Sequence, residues 1–503
     1  MSFDAHQLDW LLLVGSVVTL LAILAVRASS RAGLPSLLIY LGIGVALGEG
    51  GLGINFEDAA VAHALGFAAL VLILAEGGLT TSWSEIRGSM RMGVSLATLG
   101  VALSVSVMAV GGHYLLGLTW ETAILLGAVT SATDAAAVFS VLRTVPLPKR
   151  LTACLESESG LNDAPTVVLV VLVSSGAALE HGVLGMAGII AYELVVGVLG
   201  GLLIGFGGAW LMRRAALPAS GLYPIAVLAL AVAAYASMVA IHASGFAAVY
   251  VAALVLGNSD LPHRSATRSF SEGIAWMAQI GLFVMLGLLL SPNRLDLEDV
   301  GLAIAAGLLL TLVARPVSVM ACAIIQPMPR RELAFVSWAG LRGAVPIVFT
   351  TIPLAEGVAG AERLFDIVFL LVVVYTVLTG PTLPFAARLL GVAQRFEPRD
   401  LDVEAAPLER IDADLLQIRI SKESLMHGVE VGELRLPRGA SVSLVIRDGE
   451  TMVPERRTVL RRGDELLVVT PRKVRVDTER RLRQVSRGGR LAQWLGTDDA
   501  PPG

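Results

Sequence analysis

The chain has 503 residues, 55% hydrophobic and 16% charged, with a formal net charge of −4 and a mean hydropathy of +0.73. Soluble domains carry about 25% charged residues, so this composition excludes an ordinary soluble enzyme and indicates a polytopic membrane protein followed by something smaller. The weak acidity, with basic residues in short loops rather than one patch, argues against a nucleic-acid surface. Cys154 and Cys322 both fall in or beside apolar segments without zinc or disulfide spacing and read as packing residues.

Apolar segments recur at 8–26, 34–53, 59–79, 92–117, 121–143, 152–179, 186–212, 221–241, 245–258, 271–291, 300–325, 332–354 and 364–390. These are about thirteen spans, each near the ~20 residues that cross a bilayer except the short 245–258. The first lacks a basic leader and is followed by Arg27 and Arg31, so it reads as a retained helix rather than a cleaved signal. Basic residues follow the odd-numbered spans: Arg27 and Arg31, Arg87 and Arg91, Arg143, Lys149 and Arg150, Arg213 and Arg214, Arg264 and Arg268, Arg330 and Arg331, then Arg388, Arg395 and Arg399. Loops after even-numbered spans hold only Arg294 and Arg363. The positive-inside rule then puts the N-terminus outside and the C-terminus in the cytoplasm of a plasma (inner) membrane protein.

After Gln394 the chain turns polar. Residues 1–394 are the transmembrane part, 395–410 read as a linker, 411–478 as a small α+β domain and 479–503 as a tail, disordered at least in part. Within the small domain Leu415 to Ile420, Ser441 to Ile446, Thr451 to Val453 and Glu465 to Thr470 read as strands, with Asp448-Gly449 a hairpin turn and Val429 to Leu434 a helical turn. A domain this small is at the lower limit for an independent core, which suggests that it dimerises or docks.

The chemistry concentrates in three stretches. Glu156-Ser157-Glu158-Ser159-Gly160-Leu161-Asn162-Asp163 opens the sixth span. Asp163 lies thirteen residues beyond Arg150, roughly 20 Å at helical rise, which places it near the middle of a hydrocarbon core about 30 Å thick. An ionisable residue there is a functional candidate by default. Ser159 precedes it by one turn on the same face, and Asn162 is adjacent. The fifth span is interrupted by Thr130-Ser131-Ala132-Thr133-Asp134, the twelfth by Gly340-Leu341-Arg342-Gly343-Ala344-Val345-Pro346. Backbone that breaks at membrane depth must line a cavity or be re-satisfied by protein. The breaks are seven spans apart, an odd offset that reverses the second helix, as an inverted repeat does.

Thr133 and Asp134 offer a side-chain oxygen and a counter-charge at the half-helix ends. Oxygen ligands on one face suit a hard monovalent cation, and a cation and a proton competing for the single charge of Asp163 give exchange directly. Arg342 needs a buried acid, and Glu158 is its expected partner, a structural ion pair near the site. Arg315, inside the eleventh span, also needs a partner, but the sequence names none. Glu76, at the end of the third span, reads equally as a residue lining the cytoplasmic approach or as an ordinary interfacial glutamate. Glu156 reads as a vestibule residue and Glu193 as an interfacial one. The glycines at 197, 200, 201, 205, 207 and 208 read as close-packing positions.

At Thr133-Asp134, Glu158-Ser159-Gly160-Leu161-Asn162-Asp163 and Gly340-Leu341-Arg342-Gly343 the sequence resembles the NhaP-type monovalent cation:proton antiporters. It is most similar to potassium/proton members with a C-terminal TrkA-C (RCK C-terminal) domain, which Pro437-Arg438-Gly439, Ser441 to Ile446 and Arg462 to Val468 resemble. The resemblance implies an α-helical polytopic fold of about thirteen transmembrane helices with inverted repeats and two crossed discontinuous helices. It implies that Asp163 carries cation and proton, that Ser159 and Thr133 are ligands and that Asp134 and Asn162 support the site. It also implies that Glu158 pairs with Arg342, that Glu76 lies near the ion and that the protein is a homodimer. Relatives with two adjacent aspartates at this point are electrogenic; Asn162 adds no charge, so electroneutral one-for-one exchange is expected.

The expected ligands are K+ or Na+ and H+, with no tightly bound cofactor. The preference for K+ rests on the TrkA-C resemblance. Two roles fit the C-terminal domain: binding a nucleotide or ion that biases the transporter between two states, or holding a dimer together. No phosphate-cradling glycine-rich loop is visible in 411–478. A cation channel gated by an RCK-like module would need a repeated carbonyl filter, which the chain lacks. An intramembrane hydrolase using Asp134 and Asp163 lacks the glycine-aspartate context of such enzymes.

Overall fold

A computed structural model describes residues 5–32, 36–54, 56, 58–142, 145, 147–394, 402–408, 413–421 and 424–489. The chain divides into two compact units, Met1–Gln394 and Arg395–Gly503.

The first unit is helical: α1 (Ala5–Ala32), α2 (Leu37–Leu47), α3 (Ala59–Thr80), α4 (Trp83–Ile86), α5 (Met90–Ser95), α6 (Val101–Tyr114), α7 (Trp120–Ser131), α8 (Ala135–Val141), α9 (Lys149–Ser174) and α10 (Ala177–Arg214). It continues through α11 (Leu222–Val239), α12 (Gly245–Gly257), α13 (Arg264–Leu289), α14 (Leu297–Leu309), α15 (Arg315–Cys322), α16 (Arg330–Trp338), α17 (Ala344–Ala355), α18 (Ala361–Thr379) and α19 (Leu383–Leu389). Among the described residues, each apolar segment of the sequence falls on one helix or on consecutive helices. Among the described residues, seven helical stretches are long and apolar enough to cross a membrane.

Both expected breaks are present. At the end of α7 the hydroxyls of Thr130 and Ser131 turn back onto the carbonyls of Leu126 and Gly127, each at 2.6 Å, and Ala132 is extended. Side chains that bond their own preceding turn weaken a helix interior, and α7 stops there. Asp134 restarts the helix as the N-cap of α8, its Oδ1 accepting from Ala137 N at 3.0 Å. In the twelfth span α16 ends at Trp338 and Gly343 is the N-cap of α17. Pro346 sits in the first turn of α17, where its missing N–H leaves no bond unmade.

A second pair of irregularities repeats at the same interval. The α5–α6 span contains a π-helical turn at Leu96–Gly100, and the α14–α15 span one at Leu310–Ala314. Pro316 follows the latter and cannot donate to the carbonyl four residues back, a defined cause of local helix rearrangement. Two kinds of interruption seven spans apart fit one inverted repeat better than two accidents do.

Helix packing depends on glycine where backbones meet. A methyl group at Gly78 of α3 would come within 2.7 Å of Tyr250 O and Ala253 Cβ on α12. One at Gly201 of α10 would come within 2.6 Å of Ala248 O. The glycines of the 197–208 run thus divide: Gly197, Gly200, Gly201, Gly205 and Gly208 face neighbouring helices, whereas Gly207 faces open space. Cys154 and Cys322 are buried and free, and Cys322 Sγ donates to Ser95 O at 3.3 Å.

The second unit is an antiparallel sheet of order β1-β2-β5-β3-β4, comprising β1 (Asp402–Leu408), β2 (Ala413–Arg419), β3 (Ser441–Arg447), β4 (Glu450–Met452) and β5 (Glu465–Pro471), followed by α20 (Arg475–Gly488). Leu416, Ile418, Val445, Leu466 and Val468 form its core with Leu482 and Val485 of α20. Two sequence readings are corrected here. Part of the stretch read as a linker is strand β1, paired with β2 along its whole length. The first ten residues of the stretch read as a tail belong to α20, which covers the sheet; residues 490–503 lie outside the described residues.

Candidate functional site

The site is built where α9 passes the two breaks. Asp163 lies in the middle of α9, is 5% exposed, and its Oδ1 is buried with no hydrogen-bond partner among the described residues. A buried carboxylate oxygen without a donor is costly, and a cation or a proton on it would remove that cost. One turn back, Ser159 Oγ donates to Thr133 O at 3.0 Å and accepts from Ala135 N at 3.2 Å. A hydroxyl has one proton and two lone pairs, so Ser159 retains one lone pair for a ligand. Asn162 Nδ2 donates to Thr133 Oγ1 at 2.7 Å, which ties α9 to the unwound segment after α7.

The breaks are stitched together by backbone: Asp134 N donates to Leu341 O at 2.9 Å. The Asp134 carboxylate caps α8 through Oδ1, while Oδ2 lies where a Cβ on Gly343, the N-cap of α17, would have to go. One carboxylate therefore faces two helix N-termini, each with a partial positive charge. Arg342 serves the opposite polarity. Its Nε donates to Thr130 O at 2.7 Å near the C-terminus of α7, and its Nη1 donates to Gly340 O.

Asp163, Ser159, Thr133, Asp134 and Glu76 all line one cavity of about 240 Å³, together with Glu156. Glu76 and Glu156 come from different helices, α3 and α9, on the cavity wall. Glu193, on α10, is not among the lining residues.

The expected pairing of Glu158 with Arg342 is not the one the structure makes. Glu158 is held by Arg315: Nη2 donates to Oε2 at 2.8 Å and Nη1 to Oε1. Both side chains are buried. Arg342 sits in unwound backbone, where the open carbonyls of the helix ends are nearer acceptors, whereas Arg315 follows the π-turn on α15 and reaches α9. Two buried arginines stand near one acid, and Arg315 is the one that holds it. Sequence reasoning also missed four polar cavity residues, Thr80 and Thr81 at the end of α3, Tyr250 of α12 and Gln279 of α13. None is charged and none belongs to a motif; only a helix-packing argument places them.

The transmembrane sodium/hydrogen exchanger family matches residues 16–389. The chain belongs to this family. A TrkA-C domain matches residues 415–480. The exchanger is 35% identical over 482 residues to the K(+)/H(+) antiporter NhaP2 of Shewanella oneidensis, covering 93% of this chain and 82% of that one. It is 34% identical over 471 residues to the K(+)/H(+) antiporter NhaP of Alkalimonas amylolytica, covering 91% and 80% respectively. The sodium proton antiporter MjNhaP1 of Methanocaldococcus jannaschii, solved at pH 8, superposes with a TM-score of 0.65 at 20% identity, over 76% of this chain and 99% of its own. That likeness shows the fold, that of a helical membrane antiporter, here followed by a small antiparallel C-terminal domain.

Proposed function

We propose that the protein is a secondary antiporter that exchanges a monovalent cation, K+ in preference to Na+, for H+ by alternating access. The observation that carries this reading is the unpartnered oxygen of Asp163, buried mid-helix on the wall of a cavity. Asp163 is the shared site: Ser159 Oγ, the unwound Thr133 and the Asp163 carboxylate bind the dehydrated cation, and a proton on Asp163 replaces it. Asp134 and Asn162 hold the ligands in place, and Glu76 draws cations into the approach. The Glu158–Arg315 pair anchors α9 beside the site. A site that changes sides when neutralised by either ion, but not when empty, exchanges one for the other.

Because Asn162 adds no charge beside Asp163, the exchange is one-for-one and electroneutral. The preference for K+ is supported by the antiporters of Shewanella oneidensis and Alkalimonas amylolytica, whose names specify that ion; the oxygen ligands also suit Na+, the alternative of the same fold. The N-terminus faces outward, and residues 395–503 form a cytoplasmic domain that regulates exchange in a homodimer. The test is ion flux in proteoliposomes. A K+ gradient drives proton movement at a fixed ratio, and a membrane potential alone drives none; transport driven by potential alone would overturn the electroneutral reading.

A further inference from the structure

Three residues of α9 mark a stripe along one face: Glu156, Gly160 and Asp163, at spacings of four and three. All three line the cavity, and Glu156 and Asp163 are about 10 Å apart along the helix axis. Gly160, between them, has no side chain, and the space is taken by Tyr250, whose ring and hydroxyl occupy the place where a Cβ on Gly160 would project. Tyr250 is fixed from behind, since α12 meets α3 backbone to backbone at Gly78, where Tyr250 O is the contact. That contact fixes the backbone from which the ring projects.

The Tyr250 hydroxyl is buried and the residue is 3% exposed; its side-chain neighbour is Thr81 on the same cavity wall, whose own hydroxyl proton goes to Gly77 O at 2.6 Å, so the phenol can only donate to it and, among the described residues, no donor reaches the phenol oxygen. Packing does not account for it. The aromatic residues nearby, Phe246 one turn earlier on α12 and Phe283 on the same cavity wall, fill space as phenylalanines. A phenol whose oxygen accepts from no donor is a poorer filler than phenylalanine, because the buried lone pairs lose their water and gain nothing in return. The lone pairs of that oxygen acquire a partner only when something enters the cavity.

We propose that Tyr250 is a specificity-determining residue of the exchanger, its phenol oxygen a neutral ligand that the dehydrated monovalent cation meets between Glu156 and Asp163. This rests on the exchange reading above. A carboxylate at each end supplies charge, and the neutral oxygen between them bridges two sites too far apart to share one ion. A rigid ring opposite a glycine sets the width of the passage, so the hydroxyl ranks cations by how readily they exchange water for protein oxygen.

The experiment compares wild type, Tyr250→Phe and Asp163→Asn in proteoliposomes with Li+, Na+, K+ and Rb+ in turn. Tyr250→Phe keeps the ring and loses only the oxygen. Its apparent KM for the preferred cation rises five- to tenfold, the spread of KM among the four cations narrows, and kcat stays within twofold. A second readout needs no transport: the cation concentration that half-maximally raises the melting temperature of the purified protein shifts by the same factor. Wild-type exchange with an unaltered KM series and unaltered midpoint in Tyr250→Phe overturns the role of Tyr250 alone. A wild type without cation-coupled proton movement overturns the exchange reading, and this inference with it.

Discussion

Glu158 on α9 is clamped by Arg315 on α15, with Nη2 to Oε2 at 2.8 Å and Nη1 to Oε1, and both side chains are buried. Removing one partner of a buried pair leaves an uncompensated charge, which costs about 3–5 kcal/mol. Arg315→Gln and Glu158→Gln should therefore each lower the melting temperature strongly, and the double variant should lose less than the sum. A cycle between Glu158 and Arg342 should show much weaker coupling. Strong coupling to Arg342 with none to Arg315 would restore the pairing expected from sequence.

Gly343 allows the Asp134 carboxylate to approach the start of α17. Gly343→Ala should displace that carboxylate and, through Asp134 and Leu341, the crossing of the two breaks. Exchange should fall at least tenfold, an expected loss of about 1.4 kcal/mol or more in transition-state terms, while the protein still folds. Cation-driven proton flux, normalised to protein reconstituted, checks this; a wild-type rate would show that the close approach is incidental.

The helical unit was largely legible because hydrocarbon imposes length, apolarity and internal backbone bonding on every span. The breaks were legible for the same reason: Thr130 to Asp134 and Gly340 to Pro346 contradict the pattern around them. The partner of Glu158 was not legible. Arg315 and Arg342 are both buried cations, and the choice depends on a π-turn whose register no periodicity announces. Tyr250 was hidden because an aromatic residue in an apolar helix looks like packing. In the C-terminal unit β1 was missed because its charged residues and Pro407 match a linker composition; it is an edge strand, paired on one side only, where Pro and charge are tolerated. Helix α20 was missed because half of Arg475 to Gly488 is charged, with only a narrow apolar stripe ending in Leu482 and Val485.

Asn162 reports on charge balance. It bonds Thr133 through Nδ2 while its Oδ1 is buried and unpartnered among the described residues. Asn162→Asp places a second negative charge beside Asp163, and the exchanger should then carry net charge. The wild type should show no proton flux in response to an imposed potential, and the variant should show it. A variant that stays insensitive to potential would show that Asn162 does not set the stoichiometry.

The C-terminal unit is tested by deletion of residues 395–503, which removes β1 with the rest of its sheet instead of cutting through it. Exchange should persist, with its dependence on cytoplasmic pH altered. An unchanged rate and pH profile would leave the domain a purely structural role.

The account depends most on Asp163. Proton efflux from everted membrane vesicles, with Li+, Na+, K+ and Rb+ added in turn, compares wild type with Asp163→Asn at equal expression. The wild type should release protons, most strongly with K+, and Asp163→Asn should release none above the background of empty vesicles with any of the four. Cation-dependent proton release that survives in Asp163→Asn would contradict a single carboxylate shared by cation and proton.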